Sequence, residues 1–230
     1  MYDIIFLSYG EKNAEENWQK LKSRFPSAKR VDGITGIHAA HCAAAKKSLT
    51  KMFWVVDADA EIVPDFDFSI HSAYRDIRED TVYVWKSINP VNNLTYGYGG
   101  VKLLPKKQTK NLDHNYCDIT TSISAHFMAM PEISNVSRFN TDSFSAWRSG
   151  FRECAKLASK IIDRQEDAET EKRLSAWCNI GTTETYGIDT IVGAKEGKNF
   201  GEKHRDNVEE LQKINDFDWL KEKFIKEFRS

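Results

Sequence analysis

The sequence lacks a long hydrophobic run, paired cysteines and an excess of either charge. No uninterrupted apolar stretch is long enough for a transmembrane helix, and the first residues do not form a signal-peptide pattern. The formal net charge of −1 gives no bulk attraction to nucleic acid, so such a partner would need local basic patches. The four cysteines are widely spaced without a Cys-X-X-Cys pair, which excludes a zinc ribbon and a disulfide scaffold. We therefore expect a cytoplasmic protein with reduced thiols and no membrane partner.

What the sequence does contain is the composition of a globular domain. Of its 230 residues, 40% are hydrophobic and 29% are charged. This length suits one large α/β domain with a full core. Neither length nor composition indicates an oligomeric state.

The most informative stretch runs from Met52 to Ile62. Its first part, Met52 to Val56, is apolar and strand-prone, as in strands that are buried on both faces of a parallel sheet. Asp57 and Asp59 follow, and in extended geometry both carboxylates would leave the same side of the backbone. Two neighbouring carboxylates at the carboxyl end of a strand predict a site for Mg²⁺ or Mn²⁺ beside a diphosphate.

The residues before this stretch alternate between strand and helix patterns. We expect strands at residues 3–9 and 29–33, with helices at 13–25 and 36–48 after them. Asn13 with Glu16 predicts a capping box, and Thr35 is a candidate cap of the second helix. Further along, we expect a strand at 81–85 and another at 119–130. The order predicts a sheet whose first strands are parallel.

An apolar strand that ends in Asp-X-Asp after this strand and helix order resembles the GT-A class of nucleotide-sugar glycosyltransferases. The resemblance implies a Rossmann-like α/β fold, with a mixed, mostly parallel sheet flanked by helices and a C-terminal helical tail. It implies one domain over 1–230, in which residues 1–100 bind the nucleotide sugar, 101–205 bind the acceptor and 206–230 form the terminal helix. In this class the second Asp of the motif holds the divalent ion.

The resemblance also implies which residues bind the donor, a nucleotide sugar that we expect to be UDP-linked. Asp57 and Asp59 would hold Mn²⁺ or Mg²⁺ at its diphosphate. The nucleoside would lie near Ser8, Tyr9 and Asp32, although a plain strand aromatic and a turn explain the last two equally simply. The histidines of the second predicted helix share one face. The resemblance gives His41, more than His38, a contact with the nucleotide.

The acceptor would lie on the glycine and tyrosine segment Tyr96, Gly97, Tyr98, Gly99 and Gly100, unless this segment is only a hairpin. In several GT-A enzymes such a segment continues with Glu-Asp, whose Asp is the catalytic base. This chain continues instead with an apolar run, so its base must lie elsewhere.

Our first candidate for the base is Asp142, at the start of a predicted helix, and our second is Asp118. An N-terminal helix cap explains Asp142 without catalysis.

The segment from Gly193 to Asn207 is rich in glycine and lysine, which predicts a loop before a final helix. The resemblance makes His204 the remaining metal ligand, although a surface histidine is an equal alternative. The cations around it would neutralise the leaving diphosphate. They are Lys195, Lys198, Lys203 and Arg205.

The chain also resembles small glycosyltransferases of tailed bacteriophages, in its sequence from Phe53 to Ile62 and in its compact size. Those enzymes attach arabinose or glucose to hydroxymethylcytosine in DNA. Such an acceptor would be reached from its groove or after base flipping. A basic cluster could then contact DNA phosphates. It consists of Lys102, Lys106, Lys107 and Lys110.

Other functions stay open at this point. The acceptor could be a polysaccharide or a lipid-linked sugar, although no basic amphipathic helix favours the lipid. A binding module could keep the fold without turnover. A nucleotidyltransferase would carry a glycine-rich phosphate loop after the first strand, and residues 8–13 do not form one.

Overall fold

The structure is a computed structural model that describes residues 2–70, 77–97, 99–113, 116–161 and 166–228. The chain forms two compact units. The first comprises Met1–Asn89, Thr95–Asp113 and Ile119–Arg138. The second comprises Pro90–Leu94, His114–Asp118 and Phe139–Ser230. Much of the segment expected to bind the acceptor therefore belongs to the unit that carries the Asp-X-Asp motif.

The first unit is built on one mixed sheet. In its described residues the strands are β1 Asp3–Ser8, β2 Lys29–Asp32, β3 Met52–Asp57, β4 Ala60–Ile62, β5 Thr81–Ile88, β6 Thr95–Tyr96, β7 Val101–Pro105 and β8 His126–Ser137. The helices are α1 Ala14–Arg24, α2 Ile37–Lys47, α3 Lys106–Lys110 and α4 Ile119–Ile123. The strand order is β2-β1-β3-β7-β5-β8-β4, and β6 pairs with β5.

Strand direction and helix placement agree with the predicted class. Strands β2, β1 and β3 are parallel, β7 is antiparallel to both of its neighbours, and β5 is parallel to β8. Alternate side chains of β3 enter two cores: Trp54 and Val56 pack on the α1 side, whereas Phe53 and Val55 pack with the alanines of α2. The prediction of a mixed α/β sheet flanked by helices is confirmed.

Three local predictions in this unit are wrong. The segment predicted as a strand from residue 119 begins with α4, because Ile119 and Ile123 have helical spacing and both enter the core on the α2 side. The side chain of Asn13 does not cap α1 but donates to the carbonyl of Arg138 at 3.0 Å. Gly36, rather than Thr35, stands at the N-cap of α2.

The second unit is helical in its described residues. Its helices are α5 Ser143–Ser159, α6 Asp167–Asn179, α7 Gly187–Lys203, α8 Val208–Gln212 and α9 Phe217–Phe228, with a short 3-10 turn at Lys213–Asn215. The loop predicted from Gly193 is therefore wrong, because most of that segment lies in α7. Across the described part of the chain, no helix is both long and apolar enough to span a membrane.

A glycine face on α7 explains why this segment is helical. A Cβ atom added at Gly193, Gly197 or Gly201 would overlap a backbone carbonyl oxygen of α5, at Trp147, Phe151 and Ala155 respectively. The contacts advance by four residues on both helices, so α5 and α7 run parallel with their backbones in direct contact. The glycines thus serve close packing rather than loop flexibility.

We predict that Gly197→Ala destabilises the protein. In an isolated helix this change would stabilise by about 1 kcal/mol, but here the added methyl group meets the Phe151 carbonyl. We expect the free energy of unfolding to fall by about 2 kcal/mol, as for other overpacked contacts. Denaturant unfolding measures it, with Asn199→Ala on the exposed face of α7 as the matched control. Equal losses of stability in the two variants would contradict close packing of Gly197 on α5.

Candidate functional site

The Asp-X-Asp motif lies where β3 ends. Asp57 is the last residue of β3, its side chain is 36% exposed, and its N–H donates to the Gly100 carbonyl at 2.9 Å. The chain turns at residues 58–59 before β4 begins. Our expectation of an extended backbone across both acids is therefore wrong, because extended geometry ends at Asp57.

Two neighbouring elements hold this turn in place. The buried Asn17 of α1 donates from Nδ2 to the Ala58 carbonyl at 2.8 Å. The Arg138 N–H donates to the Asp59 carbonyl at 2.7 Å, and its guanidinium donates to Glu61 at 2.7 Å. The motif backbone is thus fixed from both sides. The sequence analysis missed both Asn17 and Arg138, whose sequence separation from the motif gives no signal.

Lys102 of β7 is the main residue of this site that the sequence analysis misplaced. Its side chain is 3% exposed, and Nζ donates to Asp57 Oδ2 at 2.8 Å and also to the Gly99 carbonyl. β7 pairs with β3 so that Lys102 lies opposite Val55. The prediction that Lys102 belongs to an exposed basic cluster is wrong, because Lys102 lies in a central strand whose five residues are all buried.

The other members of the cluster differ in exposure. Lys106 is half-buried, and its Nζ donates to the Ser48 carbonyl at 2.6 Å. Lys107 and Lys110 are exposed on the short α3. Of the four lysines, these two remain the exposed candidates for a phosphate contact.

His41 lies on α2 near the Asp57–Lys102 pair and is fully buried. Its Nδ1 is 2.8 Å from the Ile37 carbonyl, which can only accept, so we assign the proton to Nδ1. Its Nε2 has no hydrogen-bond partner among the described residues. Burial, and next the Lys102 ammonium, lower the pKa of His41 to about 4. The imidazole is therefore neutral and keeps a buried Nε2 lone pair.

Ser8 and Asp32 come together as predicted, at the ends of adjacent strands. The Ser8 hydroxyl donates to Asp32 Oδ1, and Arg30 donates to Ser8 Oγ at 3.0 Å and to Asp32 at 3.2 Å. The Ser8 hydrogen bond, with added help from Arg30, lowers the pKa of Asp32. The sequence analysis missed Arg30, although Arg30 precedes Asp32 by two residues and therefore lies on the same face of β2.

Tyr9 lies just beyond β1 and is 37% exposed. Its N–H donates to Glu11 at 2.6 Å, and its hydroxyl is 3.2 Å from the Thr35 hydroxyl. The loops after β1 and β2 therefore meet at this tyrosine. Its ring is accessible to a ligand, whereas stacking on a base stays a prediction.

The glycine segment borders the same strand end. Tyr96 is buried in β6, Gly97 follows it, and Gly99 has a φ of 92°. A Cβ atom at Gly100 would lie 2.5 Å from the Asn135 amide nitrogen. Tyr98 lies outside the described residues. Since Asn135 belongs to β8, the segment is held on the sheet by long-range contacts.

Asp142 and Asp118 belong to the second unit. Asp142 is the N-cap of α5 and accepts from the Ser145 N–H at 2.8 Å, so the predicted cap is confirmed. A role as base stays a prediction. Asp118 lies 3.8 Å from Lys156, which also pairs with the buried Glu153 at 3.2 Å.

The late basic residues lie on or near α7. His204 follows the last turn, and its ring packs on Phe200 with the centroids 4.6 Å apart. Lys198 is 3.8 Å from Glu202, Lys195 and Lys203 are exposed, and Arg205 donates to the Ala158 carbonyl at 3.1 Å. Their roles toward a metal or a diphosphate stay predictions.

The donor groups at the motif suit a divalent ion only in part. Carboxylate oxygens are ligands that Mg²⁺ and Mn²⁺ prefer. Among the residues that the structure describes, no three His, Cys, Asp or Glu side chains cluster as a metal cage. Magnesium commonly binds through one or two carboxylates and completes its shell with substrate phosphates. The motif fits that kind of site.

The mixed sheet flanked by helices is consistent with the predicted Rossmann-like α/β fold. No protein-family model and no curated protein matches the chain. Among solved structures it is similar to a glycosyltransferase involved in the glycosylation of the major capsid of PBCV-1. The two are 13% identical at a TM-score of 0.36, and the match covers 56% of this chain and 81% of that chain.

We predict that buried His41 makes stability fall at acidic pH. The unfolded chain binds a proton at this residue near pH 6.5, whereas the folded protein does so only near pH 4. The free energy of unfolding should therefore fall as the pH drops through this window, by up to about 3 kcal/mol at about 1.4 kcal/mol per pKa unit.

The comparison is with His41→Asn, whose amide can still donate to the Ile37 carbonyl. Denaturant unfolding from pH 7.5 to pH 4 should show a smaller loss in the variant, since its other titrating groups are the same. Parallel pH profiles of the two proteins would show that His41 does not titrate in this way.

Proposed function

We propose that the protein is a metal-dependent glycosyltransferase that moves a sugar from a nucleoside diphosphate to a hydroxyl acceptor. The observation that supports it best is the fixed turn of Asp57 and Asp59 at the carboxyl ends of parallel strands. Open α/β sheets bind ligands at this edge. Ser8 and Asp32 lie at the ends of the two adjoining strands, where a nucleoside can be bound.

For the donor, we propose a UDP-sugar with Mn²⁺ or Mg²⁺. Asp57 and Asp59 would hold the ion, which when bound neutralises charge on the leaving diphosphate. The Asp32 carboxylate accepts hydrogen bonds from ribose or base, and Tyr9 offers its exposed ring. We keep His41 as a candidate for the nucleotide site, although its full burial places it behind the residues that a nucleotide could touch. His204, Lys198 and Lys203 belong to the second unit, and their roles toward a metal or a diphosphate stay predictions.

For the acceptor, we propose the backbone of the glycine segment as its contact surface. Gly97 is exposed and Gly99 is half-buried, so their backbone is accessible, whereas Gly100 is buried against Asn135. Asp142 remains our candidate for the base that takes the proton of the attacking hydroxyl. As a helix cap, the Asp142 carboxylate accepts from both the N–H and the hydroxyl of Ser145.

The acceptor that we propose to test first is 5-hydroxymethylcytosine in duplex DNA, with arabinose or glucose as the sugar. The exposed Lys107 and Lys110 support a contact with phosphates, although the burial of Lys102 reduces the cluster that suggested it. A polysaccharide acceptor and a binding module without turnover are the competing proposals. Transfer assays with modified DNA and with oligosaccharides separate them, and donor binding without hydrolysis or transfer would favour the module.

We predict that a UDP-sugar with Mn²⁺ raises the melting temperature, because a ligand that binds only the folded state stabilises it. A ligand concentration of about 100 times the dissociation constant raises the free energy of unfolding by about 2.7 kcal/mol. Asp59→Ala should abolish this shift and any transfer. The matched control is Asp65→Ala, which removes an exposed carboxylate a few residues further along.

Differential scanning fluorimetry over a panel of nucleotide sugars, with and without Mn²⁺, gives the shift. Thin-layer or mass-spectrometric detection of released nucleoside diphosphate gives turnover. If Asp59→Ala keeps the full shift and full turnover while Asp65→Ala also does, the motif is not the metal site.

A further inference from the structure

We propose that Lys102 is a positioning residue that serves as an internal counter-cation of Asp57, and that it couples divalent-ion binding to diphosphate binding. In the metal-free protein its ammonium neutralises one of the two acids of the motif. Free Mn²⁺ therefore binds weakly, and the ion binds well only together with a nucleoside diphosphate. This inference rests on the proposed function and specifies how its donor site is loaded.

The first support is the geometry of the ammonium group. Lys102 Nζ donates to Asp57 Oδ2 at 2.8 Å and to the Gly99 carbonyl. Its side chain is 3% exposed, so water cannot replace these oxygens as it does for a surface lysine. Removing either oxygen would leave a buried charge short of a partner, which is costly. The ammonium is thus held between the motif and the glycine segment.

The second support is the charge balance at the motif. An ion that approaches Asp57 meets a carboxylate already paired with a positive group, and the repulsion between ion and ammonium acts across a partly buried region where screening is weak. A diphosphate brings negative charge to both cations at once. Ion and diphosphate should therefore each raise the affinity of the other by the same factor.

The third support is the composition of the site. In the described ranges, the side chains at the motif do not form a cluster of three metal-binding groups. Phosphate oxygens are then needed to complete the shell of the ion. Lys102 and the missing third ligand thus act in the same direction, against binding of the free ion.

The test measures binding of Mn²⁺ alone, UDP alone and both together by isothermal titration calorimetry, with electron paramagnetic resonance as a second readout of free Mn²⁺. In the wild type we expect UDP to tighten Mn²⁺ binding by about tenfold or more, within the usual range of coupling between sites. In Lys102→Met we expect free Mn²⁺ to bind about tenfold more tightly, and the UDP effect to shrink.

Lys106→Met is the matched control, since it removes the same charge from a lysine that contacts the Ser48 carbonyl and not Asp57. The Lys102→Met effect should also vanish in an Asp57→Asn background, which a general loss of packing would not produce. Circular dichroism and thermal unfolding check the fold. If Lys102→Met does not fold, Lys102→Gln, which keeps a donor for the Gly99 carbonyl, supplies the same comparison.

The outcomes distinguish this inference from the proposed function. If the wild type shows coupled binding but Lys102→Met binds Mn²⁺ as Lys106→Met does, the counter-cation role is wrong and the proposed function stands. If neither UDP nor another nucleoside diphosphate binds the wild type with Mn²⁺, both proposals are wrong. Tighter Mn²⁺ binding confined to Lys102 substitutions supports the inference.

Discussion

The ion pair between Asp57 and Lys102 connects most of the features described for the first unit. It joins the end of a parallel strand to the neighbouring antiparallel strand, with the lysine buried and the carboxylate partly exposed. The same ammonium holds the Gly99 carbonyl, and the Asp57 N–H holds the Gly100 carbonyl. A charged side chain is retained in a central strand only if such partners surround it. The motif and the glycine segment are therefore one structural entity.

Much of the first unit could be predicted from local patterns. β1 and β3 were expected because each is a short apolar run that ends at turn residues, and β2 because it lies between two helix patterns and ends at Asp32 and Gly33. Ser8 and Asp32 come together because parallel strands end at the same edge of the sheet. The Asp142 cap was also visible, because capping depends on residues within one turn. These successes share a cause: the deciding interactions join residues that are close in sequence or follow from the repeat of strand and helix.

The errors arise where distant residues decide the structure. Lys102 looks like part of a basic cluster until β7 is paired with β3, which no local pattern reveals. The glycines from Gly193 onward indicate a loop by their intrinsic preference, whereas contact with α5 makes them helical. Asn17 was missed for the same reason, because the carbonyl to which it donates belongs to the distant Ala58. Whether a residue belongs to the site thus depends on strand pairing and contacts between distant elements, which a single sequence does not reveal.

The glycine face of α7 also bears on how the second unit opens. A helix with several glycines normally frays easily, and its amide protons exchange quickly with solvent. Here the backbone of α7 lies directly against that of α5, so separating the two exposes carbonyl oxygens and aromatic rings together. Separating only one end of the two helices frees little conformational entropy, because the backbone contact repeats from Gly193 to Gly201. The segment that looks weakest by composition should thus be among the last to unfold.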